Sequence, residues 1–182
     1  VDLARQLLRA FGSLREFLSA SSAECLGQLG IGPARYAALQ AALELARRHY
    51  REPLHHGSPL TTSDSTRTFL LAQLRDKPYE VFCCLHLDNR HRLIAYEELF
   101  RGTVDGANVH TREVVRQAVV HNTSAVIFAH NHPSGVPEPS QADERVTHRL
   151  KEALATIDVR VLDHIIVGET GCVSFADRGL LR

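Results

Sequence analysis

Apolar residues set the first expectations. Leu3, Leu7, Leu8 and Phe11 recur at helical spacing, and Gly12 closes the run. Leu14, Phe17 and Leu18 continue as a short second helix with Ser13 at its N-cap, and Ser22 is placed to cap a third over residues 23–29. Beyond the turn Gly30-Ile31-Gly32, Pro33 opens a longer helix expected to reach Arg48, because proline suits the first helical position. Periodicity then fails where Pro53, His55, His56, Gly57 and Pro59 cluster. The pattern therefore predicts a small all-helical domain over 1–52, a linker over 53–61 and a second domain over 62–182.

In the second part the period alternates. Residues 65–74 read as a helix. Residues 80–87 read as a strand that turns at Asp88-Asn89-Arg90-His91 into 92–97, a hairpin whose end would leave Glu97 and Glu98 in solvent. Residues 100–110 look like a loop lining any cleft, and 111–121 form an amphipathic helix with Val114, Val115, Ala118 and Val119 on one side. Residues 124–129 are a continuous apolar run, as expected of a strand buried on both faces. Ser140 can cap a helix to Ile157 with Val146, Leu150 and Leu154 inward, and strands are expected at 159–162, 165–167 and 172–175. This order predicts an α/β domain.

Composition adds exclusions. Hydrophobic residues make up 44% and charged residues 23%, ordinary for a globular protein with a core. A net charge of +0 gives no broad basic field for nucleic acid. No apolar run approaches the ~20 residues of a membrane span. The chain opens on Val1 and holds no Met, so its natural start is expected upstream. Cys25, Cys83, Cys84 and Cys172 lack C-x-x-C spacing and read as free thiols in a reducing cytoplasm.

The chemistry concentrates in His130-Asn131-His132-Pro133-Ser134-Gly135, followed by Ser140-Gln141-Ala142-Asp143. Two imidazoles and a carboxylate eleven residues past the second suit Zn²⁺, and three protein ligands leave a fourth position for water. Ser140-x-x-Asp143 is also a helix-capping box. The two readings are compatible, because a first-turn carboxylate can still aim at a metal held by His130 and His132. The prolines and Gly135 between them stiffen the loop.

This string resembles the JAMM (MPN+) metalloprotease motif, and its longer form is similar to the RadC branch. Further matches are Phe100-Arg101-Gly102-Thr103, His110-Thr111-Arg112-Glu113 and Leu162-Asp163-His164-Ile165-Ile166-Val167-Gly168. Thr111 departs from the usual proline, at a helix start where either residue serves. The resemblance covers roughly 62–182 and implies a three-layer α/β/α sandwich of the cytidine-deaminase-like kind. It implies Zn²⁺ on His130, His132 and Asp143, an upstream glutamate as general base, and an amide, peptide or isopeptide bond as target. Glu80 best fits that base, opening the strand before the hairpin, with Glu113, Glu97 and Glu98 as rivals. Ser140 would donate to the oxyanion, and His164 would support the site through a hydrogen bond. Zinc there would acidify a bound water towards pKa ~7.

Other readings are weaker. The letters H-N-H do not make an HNH nuclease, whose residues come from separated parts of a ββα unit. Deamination needs H-x-E with P-C-x-x-C, and neither is present. In the first domain, Gly30, Gly32 and Arg35 resemble a helix–hairpin–helix whose turn can cradle a DNA phosphate. Any such binding would be weak and salt-sensitive, since residues 1–52 hold no Lys. Two functions compete: a JAMM-type hydrolase acting on a peptide or protein, and a non-enzymatic adaptor associated with DNA repair, with an idle or structural metal. Oligomeric state is not encoded legibly.

Overall fold

The computed structural model describes residues 2–28, 30–55, 63–102 and 109–181. The chain divides into two compact units, Val1–His49 and Tyr50–Arg182.

The first unit is helical. It comprises α1 (Asp2–Phe11), α2 (Leu14–Ser19), α3 (Ser22–Leu26) and most of α4 (Pro33–His55). Leu7, Phe17, Cys25 and Ile31 are buried together, and the Phe11 and Phe17 rings lie 5.3 Å apart. Ser13 caps α2 as expected. The third helix is capped by Ser21 rather than Ser22, because the Glu24 carboxylate reaches back to the Ser21 amide in a capping box. Leu29, expected to end that helix, lies outside the described residues. Helix α4 passes Arg48 and continues to His55, into the segment read as linker. Pro53 lies within it, which the break in periodicity did not anticipate. Residues 56–62 lie outside the described residues.

The second unit is a five-stranded mixed sheet flanked by helices. Its elements are α5 (Ser63–Leu74), β1 (Val81–Leu87), β2 (Leu93–Arg101), α6 (Thr111–Val120), β3 (Ala125–Asn131), α7 (Gln141–Ala155), β4 (Arg160–Val167) and β5 (Cys172–Ser174). The sheet order is β2-β1-β3-β4-β5. Only β3 and β4 run parallel, joined through α7 as a crossover. Strands β1 and β3 are buried at all seven positions, the pattern of strands covered on both faces. Val81, Cys83, Leu85 and Leu87 pack under Phe69, Leu70 and Leu74 of α5. Phe82, Cys84, Val126 and Phe128 pack against Val114, Ala118, Leu150 and Leu154 of α6 and α7. Among the described residues, no helix is long and apolar enough to cross a membrane.

Three boundaries differ from the periodic reading, each because a polar residue remains in the ladder. Strand β2 runs on to Arg101, so Glu97 and Glu98 lie inside it, paired with Cys84 and Cys83. Neither is at a solvated hairpin end: Glu98 accepts from Lys77 Nζ at 2.7 Å. The two strands expected at 159–162 and 165–167 are one, since Asp163 and His164 keep their pairing with Ile127 and Phe128. Strand β3 extends beyond 129 to include His130 and Asn131. The expected loop starts later, and its residues 103–108 lie outside the described residues.

Candidate metal centre

Antiparallel pairing sets Phe82, near the start of β1, opposite His130, near the end of β3. Glu80 therefore arrives beside the His-x-His segment although fifty positions separate them. Parallel pairing brings the carboxyl end of β4 to the other side, where the Val167 carbonyl accepts from the His132 amide at 2.9 Å. The chain then turns, with Gly135 N–H on the His132 carbonyl at 2.9 Å and Gly135 at φ 85°. Gly168 abuts this turn. A Cβ there would lie 2.5 Å from the Gly135 oxygen and 2.7 Å from Pro137 Cδ, so glycine is required by close approach.

The donors converge. His130 Nε2 is 3.0 Å from His132 Nε2, 3.2 Å from Asp143 Oδ1 and 3.9 Å from Glu80 Oε1. Asp143 Oδ2 is 3.8 Å from His132 Nε2. His130 and Asp143 are essentially inaccessible, whereas Glu80 retains 12% exposure. Asp143 Oδ1 is buried without a hydrogen-bond partner. Burial opposes ionisation of this carboxyl, but His130 and the Ser140 hydroxyl and amide outweigh it and hold it well below the usual carboxylate range.

Hydrogen bonds outside the cluster assign the imidazole tautomers. The Thr147 hydroxyl donates its single proton to the Asp143 carbonyl at 2.6 Å, so it accepts from His164 Nδ1–H at 2.5 Å. His164 Nε2 is then an acceptor, and His130 Nδ1–H donates to it at 2.8 Å. In neutral His130 the lone pair is left on Nε2, facing the cluster. His132 reaches the same state by a different route, donating Nδ1–H to the Val136 carbonyl at 2.8 Å. Burial first, and then the neighbouring His130, pushes His164 well below the usual imidazole range, so it stays neutral. With His130 and His132 in that tautomer, two imidazole nitrogens and a carboxylate oxygen face one another at short range, an arrangement that a shared proton or a metal ion satisfies.

The other expected residues fall as follows. Ser140 N-caps α7, accepting from the Asp143 amide at 3.2 Å. Its hydroxyl proton is directed at Asp143 Oδ2, 2.7 Å away. In this arrangement Ser140 orients Asp143 through its hydroxyl and its amide. Glu113 pairs with Arg116 in the first turns of α6, and Glu97 lies between His86 and His121. Of the competing acids, only Glu80 is grouped with His130 and His132. In the first unit Gly30 adopts φ 90°, Gly32 has open space around it, and Arg35 Nη1 donates to the Gly30 carbonyl at 2.6 Å, bracing the turn.

Sequence reasoning passed over Asn131 and Thr147. Asn131 is buried; its Oδ1 accepts from Val81 N–H at 2.8 Å, and its Nδ2 donates to the Tyr79 carbonyl at 3.0 Å. It ties the strand end that carries Glu80 to the strand that carries His130. The available signal was an amide side chain inside an otherwise buried run. For Thr147 the signal was its place one helical turn past Asp143.

Fold and site together define a class: a mixed α/β domain with a two-histidine, one-carboxylate candidate metal centre at the strand ends. A family profile described as RadC-like JAB domain matches residues 60–180. A UPF0758 protein of Thioalkalivibrio sulfidiphilus is 61% identical over 181 residues, spanning 100% of this chain and 81% of that relative. UPF0758 proteins of Nitrosococcus oceani and Halorhodospira halophila are 60% and 58% identical, again over 100% of this chain and 81% of theirs. The chain belongs to the RadC family.

Proposed function

We propose that the second unit is a zinc-dependent metallohydrolase of the JAMM type that cleaves an amide, peptide or isopeptide bond. The observation that carries the reading is the convergence of His130 Nε2, His132 Nε2 and the unpartnered Asp143 Oδ1. JAB domains are often metallohydrolases and commonly bind zinc, which agrees with a donor cluster around His130 and His132, to which Glu80 also belongs. The domain is read in its finer form as a cytidine-deaminase-like three-layer sandwich, with α5 on one face of the sheet and α6 and α7 on the other.

Zinc held by His130, His132 and Asp143 would supply an acidified water and a polarised carbonyl. Protein groups do the rest. Glu80 accepts the proton of the attacking water and returns it to the leaving amine. Ser140 keeps Asp143 aimed through its two contacts to Oδ2. Thr147 and His164 keep His130 in the tautomer that offers Nε2. Asp143 is preferred over Glu80 as third ligand because its oxygen is buried and unpartnered, whereas Glu80 reaches solvent. Thr147→Val, of equal size but unable to accept from His164, is expected to weaken zinc affinity at this site by about 10–100-fold. Competition against a chelating indicator measures it, and unchanged affinity would remove the relay from the account.

The test of function uses an internally quenched peptide library and an isopeptide-linked dipeptide set. Cleavage that requires zinc and stops on chelation supports the hydrolase. A zinc-loaded protein inert towards both sets supports the adaptor reading. The Gly30, Gly32 and Arg35 turn enters as a weak, sequence-independent DNA contact. Titration of duplex and branched DNA against the full chain at two salt concentrations tests it, and no binding at low salt rejects it.

A further inference from the structure

A second cluster of ligand-type side chains lies at the opposite end of the sheet. His86 near the end of β1, Glu97 in β2 and His121 at the C-cap of α6 bring their donor atoms within 4.8 Å of one another. His86 Nε2 is 3.5 Å from Glu97 Oε2, and His121 Nε2 is 3.2 Å from Glu97 Oε1. Six residues of extended strand separate Glu80 from His86, so the cluster is roughly 20 Å from the first centre. The two centres share no residue.

Three features point to an ion. First, His86 Nε2, Glu97 Oε2 and His121 Nε2 are all buried without a hydrogen-bond partner, and the His86 side chain is wholly inaccessible. A buried polar atom normally finds a partner; here three in one cluster lack one. Second, the far side of His86 is fixed, because its Nδ1 lies 2.9 Å from the Thr123 hydroxyl. That contact orients the ring with Nε2 towards the cluster, as an outer partner does for a metal-bound histidine. Third, the spacing suits the ion. Each imidazole nitrogen lies within 3.5 Å of one Glu97 oxygen, His86 on Oε2 and His121 on Oε1, so one ion could be shared by both rings and the carboxylate.

We propose that His86, Glu97 and His121 form a second Zn²⁺ site, independent of the first. Two imidazoles and one carboxylate are the donors of a borderline divalent ion, not of calcium or magnesium, which require oxygen cages. Cys84 does not join the set: its sulfur is 4.0 Å from His86 Nδ1, on the far side of that ring. The ligands come from β1, β2 and the end of α6, so the ion would tie the end of that helix to the β1–β2 pair. Glu97 also lines a surface cleft with Leu99, Glu113, Arg116 and Gln117.

The experiment measures zinc per chain after equilibrium dialysis of the full chain. In His130→Ala/His132→Ala, where the first centre is removed, one zinc per chain is expected to remain. Adding Glu97→Gln and His121→Ala to that variant should remove it, with circular dichroism showing that the fold persists. In the His130→Ala/His132→Ala protein, one equivalent of zinc should also shift the imidazole resonances of His86 and His121. No zinc in that variant, or zinc that survives Glu97→Gln/His121→Ala, or unmoved resonances for both rings, would each overturn the site. None of these outcomes depends on whether the first centre is catalytic.

Discussion

Glu80→Gln is expected to lower zinc-dependent hydrolysis by about 10²–10⁴-fold while leaving the metal content unchanged, the range typical of a lost general base. Glutamine fills the same volume and can still accept a hydrogen bond, but it cannot take a proton. Glu80 Oε1 lies 3.9 Å from His130 Nε2, close enough to reach a water on the same centre. Its residual exposure of 12% gives the proton a way out. Turnover and zinc content must be read on the same sample. A fall in both would make Glu80 a ligand in place of Asp143, since Glu80, His130 and His132 also form a compact donor group. An unchanged turnover number would remove Glu80 from the chemistry.

Asn131→Ala should reduce folding stability by about 1–3 kcal/mol, because it leaves the buried Val81 N–H without its partner and removes the part-buried donor to the Tyr79 carbonyl. Urea unfolding measures the loss. The variant should also turn over more slowly in its folded fraction, since the segment that carries Glu80 is no longer tied to β3. Asn131→Asp separates the two contacts: it keeps the acceptor for Val81 and places an oxygen against the Tyr79 carbonyl. A change of less than about 0.5 kcal/mol in Asn131→Ala would show that water replaces the amide, and that Asn131 positions nothing.

Much of this architecture was readable because the relevant strands are apolar without interruption. Residues 80–87 and 124–129 announced β1 and β3, and the His-x-His pair with Asp143 announced the donors. What stayed hidden follows one physical rule. A polar residue can remain in a buried strand when a distant element satisfies it, and periodicity has no access to that element. Asp163 seemed to interrupt β4, yet it accepts from the His164 and Ala176 amides and from the Ser174 hydroxyl. Glu98 seemed to end the hairpin, yet Lys77 neutralises it. Ser140 was legible as a cap, but the direction of its proton depends on Asp143 turning back towards it.

Strands β1 and β3 are buried at every position, and this bears on how the first centre would fill. A zinc finger has no fold until its ion arrives, so its metal binding and folding are one event. Here the sheet closes on hydrocarbon, and the donors are already aimed by Val136, His164 and Ser140. Loading is then a docking event on a finished scaffold. A bound ion would leave and return without the chain opening, and the amides of β3 are expected to exchange with solvent only when the whole sheet lets go.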